Sequence, residues 1–218
     1  MLRNAFKIYN NLRIFSRKNT LLNIARNNSI LNAIKNKENI KDTISPETKT
    51  YAKIANQSYN KDRLKNIDGF QLLKEVSDDE LAVYKKGNLK IFVHRGTANK
   101  EDVGTDTFIL NNNLKESDRY KNSILKVQNI INDDKDMNYL HVGHSLGGSI
   151  SKLIGKELNH KSIGFNAGNS SIHINNPLHT DHIILGDPIS NSQLLQTKNN
   201  VNIYRKRVNN PHTLENFL

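Results

Sequence analysis

Residues Tyr139–Leu153 read YLHVGHSLGGSISKL, and three of the chain's eleven glycines fall within them, at positions 143, 147 and 148. The flanks are not loop-like. Tyr139, Leu140 and Val142 have the composition of a short apolar strand. Beyond Ser145, the apolar positions Ile150, Leu153 and Ile154 recur at helical spacing towards Leu158. A strand that passes directly into a helix through Gly143-His144-Ser145-Leu146-Gly147 fits the G-x-S-x-G elbow. In that elbow a serine on a strained turn projects its hydroxyl above a sheet. Gly143 and Gly147 stand two positions either side of the serine, where strand and helix backbones pass too close for a Cβ. The helix starting at Leu146 aims its first N–H groups and the positive end of its dipole at any negative charge developing there.

A serine hydroxyl is a weak nucleophile until a base and an orienting acid assist it. On sheets of this type they follow in the order Ser, Asp, His. Asp187 in HIILGDPIS (182–190) lies just past an expected strand His182–Leu185, at its carboxyl end, where open α/β sheets build sites. Asp181 is expected before that strand, at the opposite edge. His212 in NNPHTLENFL (209–218) follows the last expected strand, Val201–Tyr204. The other histidines are less well placed. His141 and His144 are too close to the elbow to fold back onto Ser145, His173 and His179 precede the acid, and His160 and His182 stand at the wrong ends of their elements. The bland alternatives are a turn-forming aspartate in Gly-Asp-Pro and a solvated terminal histidine.

The remaining pattern alternates strands and helices. ELAVYKKGNLKIFVHRGT (80–97) holds two β-rich runs around Lys86-Gly87-Asn88, a hairpin signal. A helix is expected over Asp118–Ile131, with Ile124, Leu125, Val127 and Ile131 buried, and a strand over Ser162–Phe165. These predict an α/β fold with a central, mostly parallel sheet.

The chain has 218 residues, enough for one substantial core, and no cysteine, so disulfides and thiolate metal sites are ruled out. No apolar run approaches the ~18 residues of a membrane span. The 34 asparagines are a compositional bias that weakens turn assignments based on Asn. Net charge is +11, of which +7 lies in residues 1–42 and +4 in the other 176. Residues 1–44 therefore read as a basic N-terminal helical arm, followed by a catalytic-type domain over 45–218, with DTISPETK (42–49) at the boundary.

The arm carries Leu2, Ala5, Phe6, Tyr9 and Leu12, then Leu21, Leu22 and Ala25, at helical spacing, with Arg3, Lys7, Arg13 and Arg17 between them. Three readings stay open: a solvated pair of helices, an amphipathic anchor for an anionic membrane, and a mitochondrial-type presequence. A secretory signal does not fit, because no uninterrupted apolar region follows the basic start. No recognition motif supports nucleic-acid binding. The histidines are scattered and show no metal-site spacing, and no cofactor is implied.

A set of motifs in the same order gives the chain a likeness to the class 3 lipase family of α/β-hydrolases over roughly residues 50–218. IFVHRGTANKEDVGTD (91–106) resembles that family's strand ending in Arg-Gly-Ser/Thr and its Asp-x-x-x-Asp spacing, here Asp102 and Asp106. VGHSLGGSISKL (142–153) is similar to its elbow, GFNAGNSS (164–171) to its next strand and loop, and GDPIS with HTLENFL to its acid and terminal histidine. The resemblance implies a compact α/β-hydrolase acting on lipid esters, with Ser145 as nucleophile, Asp187 as acid and His212 as base. It further implies backbone N–H groups of Thr97 and Leu146 as the oxyanion hole, and a structural Arg95. The chain departs from the pattern at Val103, where the family usually has tryptophan. It also departs in the short polar segment after Thr97, where only Phe108, Ile109 and Leu110 could tip a lid. Two other functions fit the same residues. One is an inactive hydrolase scaffold that binds; the other is a membrane-remodelling protein, as in some DNA viruses, whose arm inserts in bilayers.

Overall fold

The computed structural model describes residues 40–97, 114–132, 134, 136–168, 176–187, 189–190, 200–206 and 208–218. The basic arm before residue 40, the Asp102–Asp106 spacing, Val103 and the lid candidates Phe108–Leu110 lie outside the described residues.

Among the described residues, nine strands form one sheet. In chain order they are β1 (Ile40–Lys41), β2 (Asn66–Ile67), β3 (Phe70–Leu72), β4 (Leu81–Lys86), β5 (Leu89–His94), β6 (Asn138–His144), β7 (Lys161–Phe165), β8 (His179–Ile184) and β9 (Asn200–Tyr204). Their spatial order is β1-β9-β8-β7-β6-β5-β4-β3-β2. From β5 through β9 to β1 every neighbouring pair is parallel, whereas β2 to β5 form an antiparallel flank. This is the central, mostly parallel sheet of an α/β-hydrolase fold. The β4–β5 hairpin turns on Gly87 at φ 56°, a conformation glycine takes without a Cβ penalty, with Lys86 opposite Leu89. Ile40 and Lys41 pair with Ile203 and Tyr204, so two residues that composition groups with the arm belong to the sheet edge. Backbone pairing of this kind leaves no trace in side-chain charge.

Among the described residues, three α-helices flank the sheet: α1 (Pro46–Gln57), α2 (Asp118–Asn132) and α3 (Leu146–Glu157). The proline of DTISPETK is the first residue of α1, and Ser45 caps it by accepting the Thr48 N–H at 3.2 Å. Ser117 caps α2 in the same way, through the Tyr120 N–H at 3.2 Å.

Alternation along the strands sorts the core into two layers. Ile91, Val93, Leu140 and Val142 pack with Ala52 and Ile54 of α1 and with Phe217 of the C-terminal 3-10 turn. Phe92 points the other way, joining Val127 of α2 and Ile150, Leu153 and Ile154 of α3. Each of the larger of these side chains, when fully buried, contributes about 1.5–3 kcal/mol.

Two sequence expectations shift. Leu125 is exposed rather than buried on α2, where Tyr120, Ile124 and Val127 face the sheet instead. Asp181 lies inside β8 rather than before it, because the strand begins at His179. It is fully buried beneath α3, with His179 Nε2 at 3.0 Å and Lys152 Nζ at 3.8 Å. Polar residues in HTDHII masked the strand start. Among the described residues, no helix is long and apolar enough to cross a membrane.

Candidate active site

Parallel strands put their carboxyl ends on one edge, and the segments leaving β5, β6, β8 and β9 there carry Thr97, Ser145, Asp187 and His212. Ser145 occupies the single residue between β6 and α3, at φ 55° and ψ −125°. A non-glycine residue at positive φ is strained, and several contacts hold it there. The Ser145 N–H donates to Phe165 O at 3.1 Å, and its carbonyl accepts from Gly148 at 3.0 Å and Gly168 at 3.1 Å.

The glycines beside it explain how the turn closes. A Cβ on Gly143 would stand 2.2 Å from the Gly147 backbone, and one on Gly147 would stand 2.0 Å from the carbonyl oxygen of His94. Neither obstacle is a movable side chain. Gly147→Ala is therefore expected to destabilise the fold by about 2–3 kcal/mol. In a domain of this size that lowers the melting temperature by roughly 5–10 °C, which differential scanning calorimetry would measure. An unchanged melting temperature would contradict this packing.

The three side chains chosen from the sequence meet. Ser145 Oγ lies 3.0 Å from His212 Nε2. His212 Nδ1 lies 3.1 and 3.0 Å from the two carboxylate oxygens of Asp187. Asp187 is fully buried, whereas the His212 side chain retains 23% of its exposure. Burial alone would raise the Asp187 pKa. Donation from His212, Ser190 Oγ (2.7 Å) and the Ile189 N–H (3.0 Å) outweighs it, and holds the carboxyl below the usual carboxylate value. A fixed carboxylate on Nδ1 keeps the proton there, which leaves Nε2 as the acceptor for the serine hydroxyl.

Leu146 is the first residue of α3, so its N–H has no partner within the helix, and it lies directly behind the serine. Thr97 is half-buried three residues past β5, next to the undescribed stretch 98–113. The strand end leading to it is well anchored. Arg119 of α2, buried, places its guanidinium 2.6 Å from the Glu80 carboxylate and donates to Arg95 O at 3.1 Å, and the Arg95 N–H donates to Glu80 O at 3.0 Å.

The sequence reading missed several residues that shape the site. His144, set aside there as a base, donates from Nε2 to the backbone carbonyl of His212 at 2.7 Å. Its Nδ1 accepts the Tyr59 hydroxyl at 2.8 Å. Tyr59 lies half-buried just beyond α1, 85 positions from His144, and no local pattern marks it. Ser190 lies three residues beyond Asp187, an offset readable afterwards but not distinctive. Arg119 sits in α2 as one charge among many.

A groove of about 750 Å³ lies at the opposite, amino-terminal edge of the sheet, bordered by Tyr51, Tyr139, His160 and Lys161, and contains none of the three residues. Among the described residues, no group of three or more His, Cys, Asp or Glu could hold a metal ion.

Neither protein-family models nor curated protein sequences give a match to this chain. Among solved structures, it is similar to lipase II from Rhizopus niveus, with 14% identity and a TM-score of 0.45 over 66% of this chain and 72% of that one. It is similar also to a triacylglycerol lipase from Penicillium expansum (16%, TM-score 0.49, 77% and 81% covered). A third neighbour is carboxyl esterase 2 from the mycorrhizal fungus Tuber melanosporum (11%, TM-score 0.34, 75% and 88% covered). The fold assignment rests on the strand order and register described above.

Proposed function

We propose that this protein is a serine hydrolase of carboxylic esters, with lipid esters as its substrates and a class 3 lipase type of site. The observation that carries the reading is the continuous line from Ser145 Oγ through His212 to buried Asp187, with contacts of 3.0 to 3.1 Å, on a serine held at positive φ. Residues held in strained backbone conformations cluster at active sites, and this one carries the outer hydroxyl of the line.

In this reading His212 Nε2 takes the Ser145 proton as Oγ bonds to the ester carbonyl carbon. The N–H groups of Leu146 and Thr97 stabilise the resulting oxyanion. The alkoxy group leaves with the proton from His212, giving an acyl-serine and an alcohol. Water, deprotonated by His212 in turn, then releases the carboxylic acid and restores the serine. Lipid is preferred over a soluble ester because of the family resemblance and the basic arm of residues 1–44, which suits an anionic bilayer surface.

The test uses p-nitrophenyl esters of graded acyl length, with and without anionic vesicles, alongside a labelled fluorophosphonate. The expected outcome is single-site labelling and turnover that rises with chain length and with vesicles. A protein that neither labels nor turns over any ester, vesicles included, is not a hydrolase of this kind. Turnover confined to acetyl and butyryl esters would leave a serine esterase and remove the lipid assignment.

A further inference from the structure

We propose that Tyr59 and His144 form a hydrogen-bonded brace that positions His212 by its backbone carbonyl and ties it to the Arg95–Thr97 segment; the inference rests on the serine-hydrolase reading above. His212 follows β9 by eight positions, and among the described residues between them none lies in a strand or helix. Two backbone carbonyls at the base are held from the carboxyl edge of the sheet. Asn166 Nδ2 donates to Pro211 O at 2.8 Å, and His144 Nε2–H donates to His212 O at 2.7 Å. His144 is one peptide bond from Ser145, so this second contact sets the base directly against the nucleophile. The His144 and His212 rings also lie against each other, their centroids 4.8 Å apart.

The tautomer follows from the partners. A carbonyl oxygen only accepts, so Nε2 of His144 must carry the proton, and in a neutral ring Nδ1 must then accept. Tyr59 supplies the donor, its hydroxyl 2.8 Å from Nδ1. Burial, together with the His212 imidazole alongside, pushes the His144 pKa down to about 3, so the ring is neutral at working pH. Without the phenol, the Nδ1–H form becomes accessible. That form would face a nitrogen lone pair towards His212 O and expel the loop.

The same hydroxyl occupies the space beside Gly96. A Cβ there would meet Tyr59 Oη at 2.1 Å and the His144 carbonyl at 2.7 Å. Gly96 immediately precedes Thr97, so one phenol touches the oxyanion segment and, through His144, the base loop. Tyr59 and His144 are positioning residues; neither need touch substrate.

The test compares Tyr59→Phe, His144→Gln and His144→Leu with the wild type, using a p-nitrophenyl ester the wild type turns over. Removing one buried hydrogen bond should lower kcat about tenfold in Tyr59→Phe with KM unchanged. Glutamine can place an N–H near the position of Nε2, so His144→Gln should retain far more kcat than His144→Leu, which leaves His212 O unpaired and should lose about 100-fold. Independently of turnover, nitrogen NMR of the wild type should report His144 as the neutral Nε2–H tautomer, and Tyr59→Phe should lose that single form. The brace fails if Tyr59→Phe matches an active wild type in both constants, or if His144 carries its proton on Nδ1. A wild type with neither turnover nor fluorophosphonate labelling overturns the hydrolase reading, and the brace as a catalytic device with it. The tautomer measurement separates the two failures.

Discussion

Ser145→Ala is expected to eliminate fluorophosphonate labelling and to lower ester turnover by at least about 10³–10⁴-fold, with little change in thermal stability. Among the described residues, the oxygen removed makes a single hydrogen bond, to His212 Nε2 at 3.0 Å, at a half-buried position. Its loss leaves no buried group unpaired. Alanine and serine have the same Cβ, so the positive-φ strain of the elbow is unchanged. Stability should therefore stay within about 1 kcal/mol, or roughly 2–4 °C for a domain of this size. Chemistry should respond very differently, since the proposed acyl-enzyme cannot form without Oγ. What remains is whatever the oxyanion donors and substrate binding supply, and in serine proteases that residue is about 10³–10⁴-fold over water. Rates on a p-nitrophenyl ester, with calorimetry on the same sample, separate the two effects. A variant that keeps labelling or turnover while folded would remove Ser145 as the nucleophile. A variant that loses activity because it no longer folds would show a collapsed melting transition instead.

Below about pH 6.5 the protein is expected to lose stability steeply, more than its carboxylates alone would produce. Histidines are built into its interior. Burial, followed by nearby Arg119, pushes His94 down to about 3. Burial and neighbouring His212 do the same to His144. His182 falls to about 4, mainly through burial. His141 and His160 shift downward too, each chiefly by burial. His94, His141 and His160 form a ladder: His94 Nε2 lies 3.2 Å from His141 Nδ1, and His141 Nε2 lies 3.1 Å from His160 Nδ1. In the native state His94, His141, His144 and His182 stay neutral well below 6.5, whereas in the unfolded chain they take up protons near that value. Between about pH 6.5 and 4 the unfolded state thus binds more protons, so stability rises with pH. The histidine contribution is fully present above 6.5 and is lost as pH falls towards 3.

At pH 5 each of His94, His144 and His182 costs about 2 kcal/mol, about 6 in all. Total stabilities run at about 5–15 kcal/mol. Carboxylates held below their usual values, Asp187 among them, act in a lower window, beginning near their unfolded value of 3.8. Denaturant midpoints followed by circular dichroism at pH 7, 6, 5 and 4 should show the fall already between 6 and 5. A flat profile down to pH 5 would mean that the native interior accepts protons at these rings.

Much of the architecture was legible because its signals are short-range. The elbow is written in fifteen consecutive residues: apolar strand, glycines where backbones touch, and an apolar helical stripe. Gly87 marks the β4–β5 hairpin, and Asp118–Ile131 has the spacing of the helix that forms there. The carboxyl-end rule, applied to chain order, was enough to choose Asp187 and His212 as the residues to examine. The reading fell short where a residue's environment comes from elsewhere in the chain. The polar start HTD of β8 hid Asp181 inside a strand, since β7 and β9 supply its pairing and Lys152 its counter-charge. Leu125 looked buried because helical periodicity alone does not state how wide a stripe the sheet will cover.

By itself, then, the sequence determined the alternation of strands and helices and the strained serine between β6 and α3, because steric and periodic constraints act over a few residues. Only the tertiary structure decided the distances. It brought Asp187, His212 and Ser145 into one line across the ends of three parallel strands. It also gave His144 a carbonyl to hold and Tyr59 a tautomer to select, from a position 85 residues away. The physical reason is that a hydrogen bond requires a donor and an acceptor within about 3 Å, and for groups so far apart in the chain that proximity is set by the packing of the sheet and its helices.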